Sequence, residues 1–172
     1  PESGGGMNSV QDKRVRQELE RLHAEAAGEA KRRRQRPPGG ENTLIRIGTL
    51  YLAVAPEEGR LLYLLSRSCA VGNFVEFGSS YGISTLYLAA AARDSGGQLL
   101  STEVHPQKCA AARRSLQQAG LAEVAQIIEG DARETLSTVS DPVHFLFLDG
   151  WKSQYLPVLQ LLPPKLAVGA LV

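Results

Sequence analysis

The sequence predicts an α/β protein with a mostly parallel sheet lying between two layers of helices. Two observations carry this. From Val71 onward, short apolar segments of strand length alternate with segments of helical character, the pattern of repeated strand–helix–strand crossovers. The strand candidates are short apolar runs, as in Phe74-Val75-Glu76-Phe77 and Val143-His144-Phe145-Leu146-Phe147-Leu148, which suits strands covered on both faces.

The elements follow in order. Pro1 to Gly6 read as a cloning remnant ahead of a native start at Met7 and lie outside the fold reasoning. Residues 7–43 read as an N-terminal helical region and linker. Asn8 to Arg36 predict one helix or two, mostly solvated, with Val10, Leu19 and Leu22 as the few large apolar residues. Lys31-Arg32-Arg33-Arg34-Gln35-Arg36 closes this block. Basic residues late in a helix complement its dipole; a phosphate or nucleic-acid patch is the other reading. Pro37-Pro38-Gly39-Gly40 breaks the helix, and residues 44–172 form the expected main domain. Pro56-Glu57-Glu58-Gly59 opens a second helix, with proline in the first turn and acids at its positive end. Leu61, Leu62, Leu64 and Leu65 are expected to form its buried face.

The alternating part begins with the strand Phe74 to Phe77, followed by a helix from Ser84 to Ala92. Gly96-Gly97 turns into a strand from Gln98 to Glu103, and Pro106 to Ala119 predicts a helix stopped by Gly120. A third strand is expected at Val124 to Ile128, then a short helix near Ala132 to Leu136. Val143 to Leu148 is the fourth strand, Tyr155 to Leu162 a helix with Pro157 early in it, and Leu166 to Val172 the start of a fifth strand.

Composition narrows the class. The 172 residues suffice for one domain with a substantial core and are too few for two. A hydrophobic fraction of 43%, a charged fraction of 22% and a net charge of +1 describe an ordinary globular chain with no strong field for nucleic acid or membrane. No apolar run approaches the ~18 residues of a membrane span. Cys69 and Cys109 stand in no metal or redox spacing, so a disulfide framework is not expected and a cytoplasmic setting is. His23, His105 and His144 show no ligand spacing either.

Ligands of open α/β sheets bind beyond the carboxyl ends of the strands, and four strand ends here carry polar residues. The first strand runs into Glu76-Phe77-Gly78-Ser79-Ser80-Tyr81-Gly82-Ile83-Ser84. Gly78 and Gly82 permit a tight turn and close approach of a ligand, and Ser84 and Thr85 stand near free N–H groups at the next helix start. A plain strand-to-helix turn is the alternative. Tyr81 either touches a ligand or closes the loop. The spacing lacks the third glycine of the dinucleotide fingerprint, which disfavours a dehydrogenase. The second strand ends at Glu103, about 20 residues beyond the glycine loop, where a carboxylate can accept hydrogen bonds from ribose hydroxyls. The third ends in Glu129-Gly130-Asp131-Ala132; Asp131 either meets an adenine amino group or caps the following helix. The fourth ends in Asp149-Gly150-Trp151-Lys152. Asp149 can offer oxygen to a divalent cation, and Lys152 can act as a base once its pKa is lowered.

Taken together, Val75 to Ser84, Thr102-Glu103-Val104-His105-Pro106 and Phe147 to Pro157 resemble the catechol O-methyltransferase family and its bacterial relatives. Ala53-Val54-Ala55-Pro56-Glu57-Glu58-Gly59 resembles the segment before the first strand in those relatives. The resemblance implies a Rossmann-like three-layer sandwich that binds S-adenosyl-L-methionine (SAM). Glu76, Gly78 and Ser84 would lie around its methionine part, Val54 and Ser80 would also bind the cofactor, and Glu103 would hold the ribose. Asp131, Ala132 and Trp151 would border the adenine. Asp149 would be a Mg²⁺ ligand at the edge of the cofactor site, and Lys152 would take the proton of the acceptor hydroxyl. The implied reaction is in-line methyl transfer to a hydroxyl of a small, catechol-like molecule, assisted by the metal.

The family places further metal ligands just after the fifth strand and adds two more strands, so the domain is expected to be C-terminally incomplete here. Gly150 stands where the catechol enzyme has histidine. A metal-independent methyltransferase acting on another small molecule or RNA, and a non-catalytic SAM-binding module, are the alternatives. The resemblance leaves a homodimer open.

Overall fold

The computed structural model describes residues 8–34, 50–69 and 72–172. The breaker at Pro37 to Gly40, the tag-like Pro1 to Gly6 and the stretch from Ile45 to Gly48 lie outside the described residues.

Five parallel strands form one sheet in the order β3-β2-β1-β4-β5: β1 Asn73–Phe77, β2 Gln98–Glu103, β3 Ala125–Glu129, β4 Val143–Leu148 and β5 Leu166–Leu171. The helices are α1 Lys13–Arg34, α2 Pro56–Arg67, α3 Ile83–Ser95, α4 Pro106–Ala119, α5 Ala132–Thr135 and α6 Tyr155–Leu161. Phe77 is aligned with Thr102 on one side and Leu148 on the other, so three strands end level with one another. The chain moves outward from β1 through β2 to β3, then crosses to β4 on the opposite side of β1. That reversal opens a crevice at the carboxyl ends of β1 and β4, the usual position for a ligand in this class of sheet.

Alternation along the strands divides the core in two. Phe74, Leu99, Ile127 and Phe145 pack against α1 to α4 on one face. Val75, Phe77 and Leu146 pack with Leu136, Val139, Val158 and Leu162 on the other. Helix α3 is buried from Ile83 through Ala92 because the sheet, α1, α2 and α4 surround it. Its alanines let those neighbours approach closely, which accounts for an apolar sequence without a polar face.

Two expectations need correction. Helix α1 is mostly exposed, as expected, but its buried apolar set is Val15, Leu19 and Leu22, packed against the main core. Val15 was absent from the expected apolar set. Glu18 is buried beside them and pairs with Arg21, whose guanidinium also reaches Ser115. The start of the chain is tied down as well, because the Ser9 N–H donates to Asp94 (2.7 Å) and the Tyr63 hydroxyl donates to the same carboxylate (2.7 Å). In α2, the buried face consists of Gly59, Leu62, Tyr63 and Ser66, while Leu61, Leu64 and Leu65 are exposed. The reason is close packing on α3: a β-carbon on Gly59 would come within 2.1 Å of the Tyr87 ring. This contact fixes the rotation of α2 and turns three leucines outward.

Among the described residues no helix is long and apolar enough to cross a membrane, and both cysteines are free thiols.

Candidate cofactor site

The loops beyond β1, β2, β3 and β4 are laced together by backbone hydrogen bonds. Gly78 and Ser79 N–H groups donate to the Thr102 carbonyl (3.0 Å each), Gly130 N–H to the Glu103 carbonyl (3.0 Å) and Asp149 N–H to the Phe77 carbonyl (2.9 Å). Gly78 has φ +99°, and a β-carbon there would lie 2.9 Å from the Gly150 backbone. Glycine is therefore required both by conformation and by space.

These loops surround a cavity of about 610 Å³ lined by Phe77, Gly78, Ser80, Thr102, Glu103, His105, Lys108, Gly130, Asp131, Ala132, Asp149, Trp151 and Lys152, among others. Its size suits a small molecule or nucleoside cofactor. The Glu103 carboxylate is fixed by two backbone donors, Ser80 N–H and His105 N–H, both at 2.9 Å. Each oxygen keeps a second lone pair for a ligand hydroxyl. The Ser80 and Thr102 hydroxyls are buried in this wall without a hydrogen-bond partner among the described residues. A rigid carboxylate, two unpartnered hydroxyls and a glycine-lined floor fit a ribose-bearing ligand.

Seven of the ten expected cofactor residues line this cavity: Gly78, Ser80, Glu103, Asp131, Ala132, Asp149 and Trp151. Val54 and Ser84 line an adjoining small cleft with Tyr81. Glu76 lies beneath the floor and is fully buried. The Thr85 and Ser101 hydroxyls donate to one of its oxygens (2.6 and 2.5 Å), and the other oxygen has no partner. Burial pushes its carboxyl up to about 7, against the stabilising hydroxyls of Ser101, Ser84 and Thr85.

Asp131 caps α5 by accepting the Arg133 N–H (2.9 Å) while pairing with the Arg133 side chain, which holds its carboxyl at about 2. It also borders the cavity, so the capping and ligand-facing positions coincide. Trp151 stands half-exposed at the rim. Tyr81 closes its loop by stacking on Tyr51, with ring centroids 4.0 Å apart. The absence of a side chain at Gly150 leaves room for the Phe77 ring, which a β-carbon would approach to 2.3 Å.

Asp149 also borders a second cavity of about 600 Å³ between α2 and β4, where Val54, Glu58, Leu62, Leu65 and Phe147 contribute the wall. Burial, with a smaller push from the Glu58 charge, raises the Asp149 carboxyl to about 6. The residue is nonetheless exposed at the rim, so solvent screens this effect and its direction matters more than its size. Asp149 is not part of a ready cation site: no three His, Cys, Asp or Glu side chains converge to hold a metal among the described residues. The donor set therefore fits a nucleoside cofactor and does not by itself fit a divalent cation.

Sequence reasoning had not assigned Phe77, Thr102 or Lys108 to the site. Phe77 and Thr102 are the terminal or near-terminal residues of strands already identified as forming it. Lys108 had one legible signal, its place in the first turn of a helix that starts three residues beyond Glu103.

A parallel sheet of this order with a carboxylate-bearing cavity at its switch point defines the class of Rossmann-like α/β domains. Residues 75–172 match the family model described as a methyltransferase domain, and the chain belongs to that family. It is 31% identical over 118 residues to a catechol O-methyltransferase of Niastella koreensis, covering 66% of this chain and 53% of that protein. It is 31% identical over 110 residues to a catechol O-methyltransferase of Mycobacterium tuberculosis, covering 63% and 50%. The chain thus spans about half the length of the curated relatives it matches. Among solved structures, the O-methyltransferase from Bacillus cereus in complex with SAH superimposes with a TM-score of 0.69 at 21% identity, over 88% of this chain and 62% of that one. This likeness shows the shared fold.

Proposed function

We propose that this chain carries the SAM site of an O-methyltransferase that moves a methyl group to a hydroxyl of a small, catechol-like molecule. The observation that carries the reading is the rigid Glu103 carboxylate facing a 610 Å³ cavity, with Asp149, Trp151 and Lys152 on one rim. The catechol O-methyltransferases among the relatives favour the acceptor class. The domain responsible is taken as residues 44–172, following the N-terminal region 7–43, and a cytoplasmic setting belongs to the same reading.

Glu103 accepts the ribose hydroxyls, Ala132 and Trp151 enclose the adenine, and Asp131 borders its edge. The methionine part runs over Gly78 toward Val54, Ser80 and Ser84, above Glu76. The acceptor approaches through the second cavity, whose apolar wall suits an aromatic ring and whose common border with the first is Leu52 and Asp149. Lys152 Nζ would take the hydroxyl proton while the oxygen bonds to the methyl carbon and the carbon–sulfur bond of the sulfonium breaks, releasing the thioether SAH. The chain contributes alignment of donor and acceptor. The resemblance also calls for a divalent cation with Asp149 as one ligand, which would lower the hydroxyl pKa; its remaining donors are not supplied by the described acids.

Calorimetric titration of SAM and its demethylated product SAH, followed by transfer assays on catechols with EDTA or Mg²⁺, tests the reading. Micromolar cofactor binding and a Lys152→Met variant that binds normally but transfers at least ~100-fold more slowly are expected. Absence of cofactor binding refutes the site. Activity untouched by EDTA refutes metal assistance and supports the metal-independent alternative.

A further inference from the structure

Lys108 occupies a position that the fold alone disfavours. It is the third residue of α4, where the helix dipole repels a cation. It is only 4% exposed, yet its side chain borders the cavity beside Thr102, Glu103 and His105. Burial lowers its pKa, against the attraction of Glu103 and Glu29. No hydrogen bond or ion pair holds its Nζ among the described residues; the ammonium lies 5.4 Å from the centroid of the Tyr81 ring. The nearby carboxylate of Glu103 does not close on it, because Ser80 and His105 N–H groups fix that carboxylate in another contact. A cation–π contact returns only part of what a buried ammonium loses in hydration. A strong donor is thus kept at the cavity wall with its hydrogen-bonding capacity unused.

We propose that Lys108 is a cofactor-binding residue that grips the ribose together with Glu103. This rests on the SAM reading above. A ribose hydroxyl is both donor and acceptor. Its proton goes to the Glu103 carboxylate, and its oxygen accepts from the Lys108 ammonium. The sugar is held between an acid and a base instead of by a carboxylate alone. Tyr81, stacked on Tyr51, holds the ammonium over its ring when no ligand is present.

The test is calorimetric titration of SAH, and of an SAH analogue lacking both ribose hydroxyls, into the wild-type protein and the variants Lys108→Met and Lys108→Gln. Thermal melts without ligand accompany the titrations. Both variants should bind SAH about tenfold or more weakly, the loss expected for one charge-assisted hydrogen bond. Wild type and variants should bind the hydroxyl-free analogue equally. The Lys108→Met protein should melt no lower than wild type, because an unpaired buried cation has been removed. Unchanged SAH affinity in the variants overturns the proposal, as does an equal loss for SAH and for the analogue. Failure of the wild-type protein to bind SAH overturns the cofactor reading itself and this inference with it.

Discussion

Replacing Glu76 by glutamine isolates the cost of holding a carboxylate under the cofactor floor. Glu76 is fully buried and its carboxyl is raised from 4.5 to about 7. A carboxyl raised in the folded state favours folding most fully while it is protonated, below its unfolded value. That advantage is lost as pH rises through the folded value. Between pH 5 and pH 8 the wild-type protein should therefore lose about 2–3 kcal/mol through this group alone, from the linkage relation applied to those two values. Glutamine keeps the carbonyl that accepts from Thr85 and Ser101, and its amide group replaces the oxygen that has no partner. Its absolute effect includes the cost of that amide, so the slope is the informative quantity. Urea unfolding of both proteins at pH 5, 6, 7 and 8, without ligand, measures it. The stability difference between variant and wild type should shift by about 2–3 kcal/mol in favour of the variant across this range. Parallel pH profiles would refute the claim that the buried carboxyl is raised by desolvation.

Three further outcomes follow from the same geometry. Gly78→Ala combines a left-handed backbone with a β-carbon 2.9 Å from the Gly150 backbone; it should cost about 1–3 kcal/mol of stability and weaken SAH binding by at least tenfold, read by melts and calorimetry. Glu103→Ala should leave the fold cooperative but reduce SAH affinity about tenfold or more; equal affinity would remove the ribose assignment. Leu22→Ala, at a side chain 1% exposed, should destabilise the protein by about 2–5 kcal/mol, and a near-neutral effect in urea titration would show that α1 is not integral to the core.

The fold was largely legible from the sequence because its signals are local. Strands β2 and β4 and helix α4 have the predicted limits, and α3 and β3 differ only at their ends. Glycine and proline set those boundaries through backbone geometry that needs no distant partner. The strand-end residues were legible for a related reason: in a parallel sheet, every carboxyl end points to one edge, so Gly78, Glu103, Asp131 and Asp149 were bound to gather there.

What required the tertiary structure was the direction and company of each side chain. The leucines of α2 gave no indication which would be buried until Gly59 met Tyr87. In helix α1 four buried residues in 22, Val15, Glu18, Leu19 and Leu22, make a narrow stripe whose partners are visible only once α3 and α4 lie beneath it. Sequence also could not separate a surface Lys108 from one sealed into the cavity wall without a hydrogen bond. By itself, the sequence determined the α/β alternation, the mostly parallel sheet that it implies, and the set of residues at its carboxyl edge; the strand order came from the tertiary structure. Tertiary packing alone decided that Asp149 borders two cavities, that Glu76 is a fully buried acid whose carboxyl is raised by desolvation, and that a buried lysine borders the cavity beside Glu103, because burial and electrostatic environment are created by residues far apart in the chain.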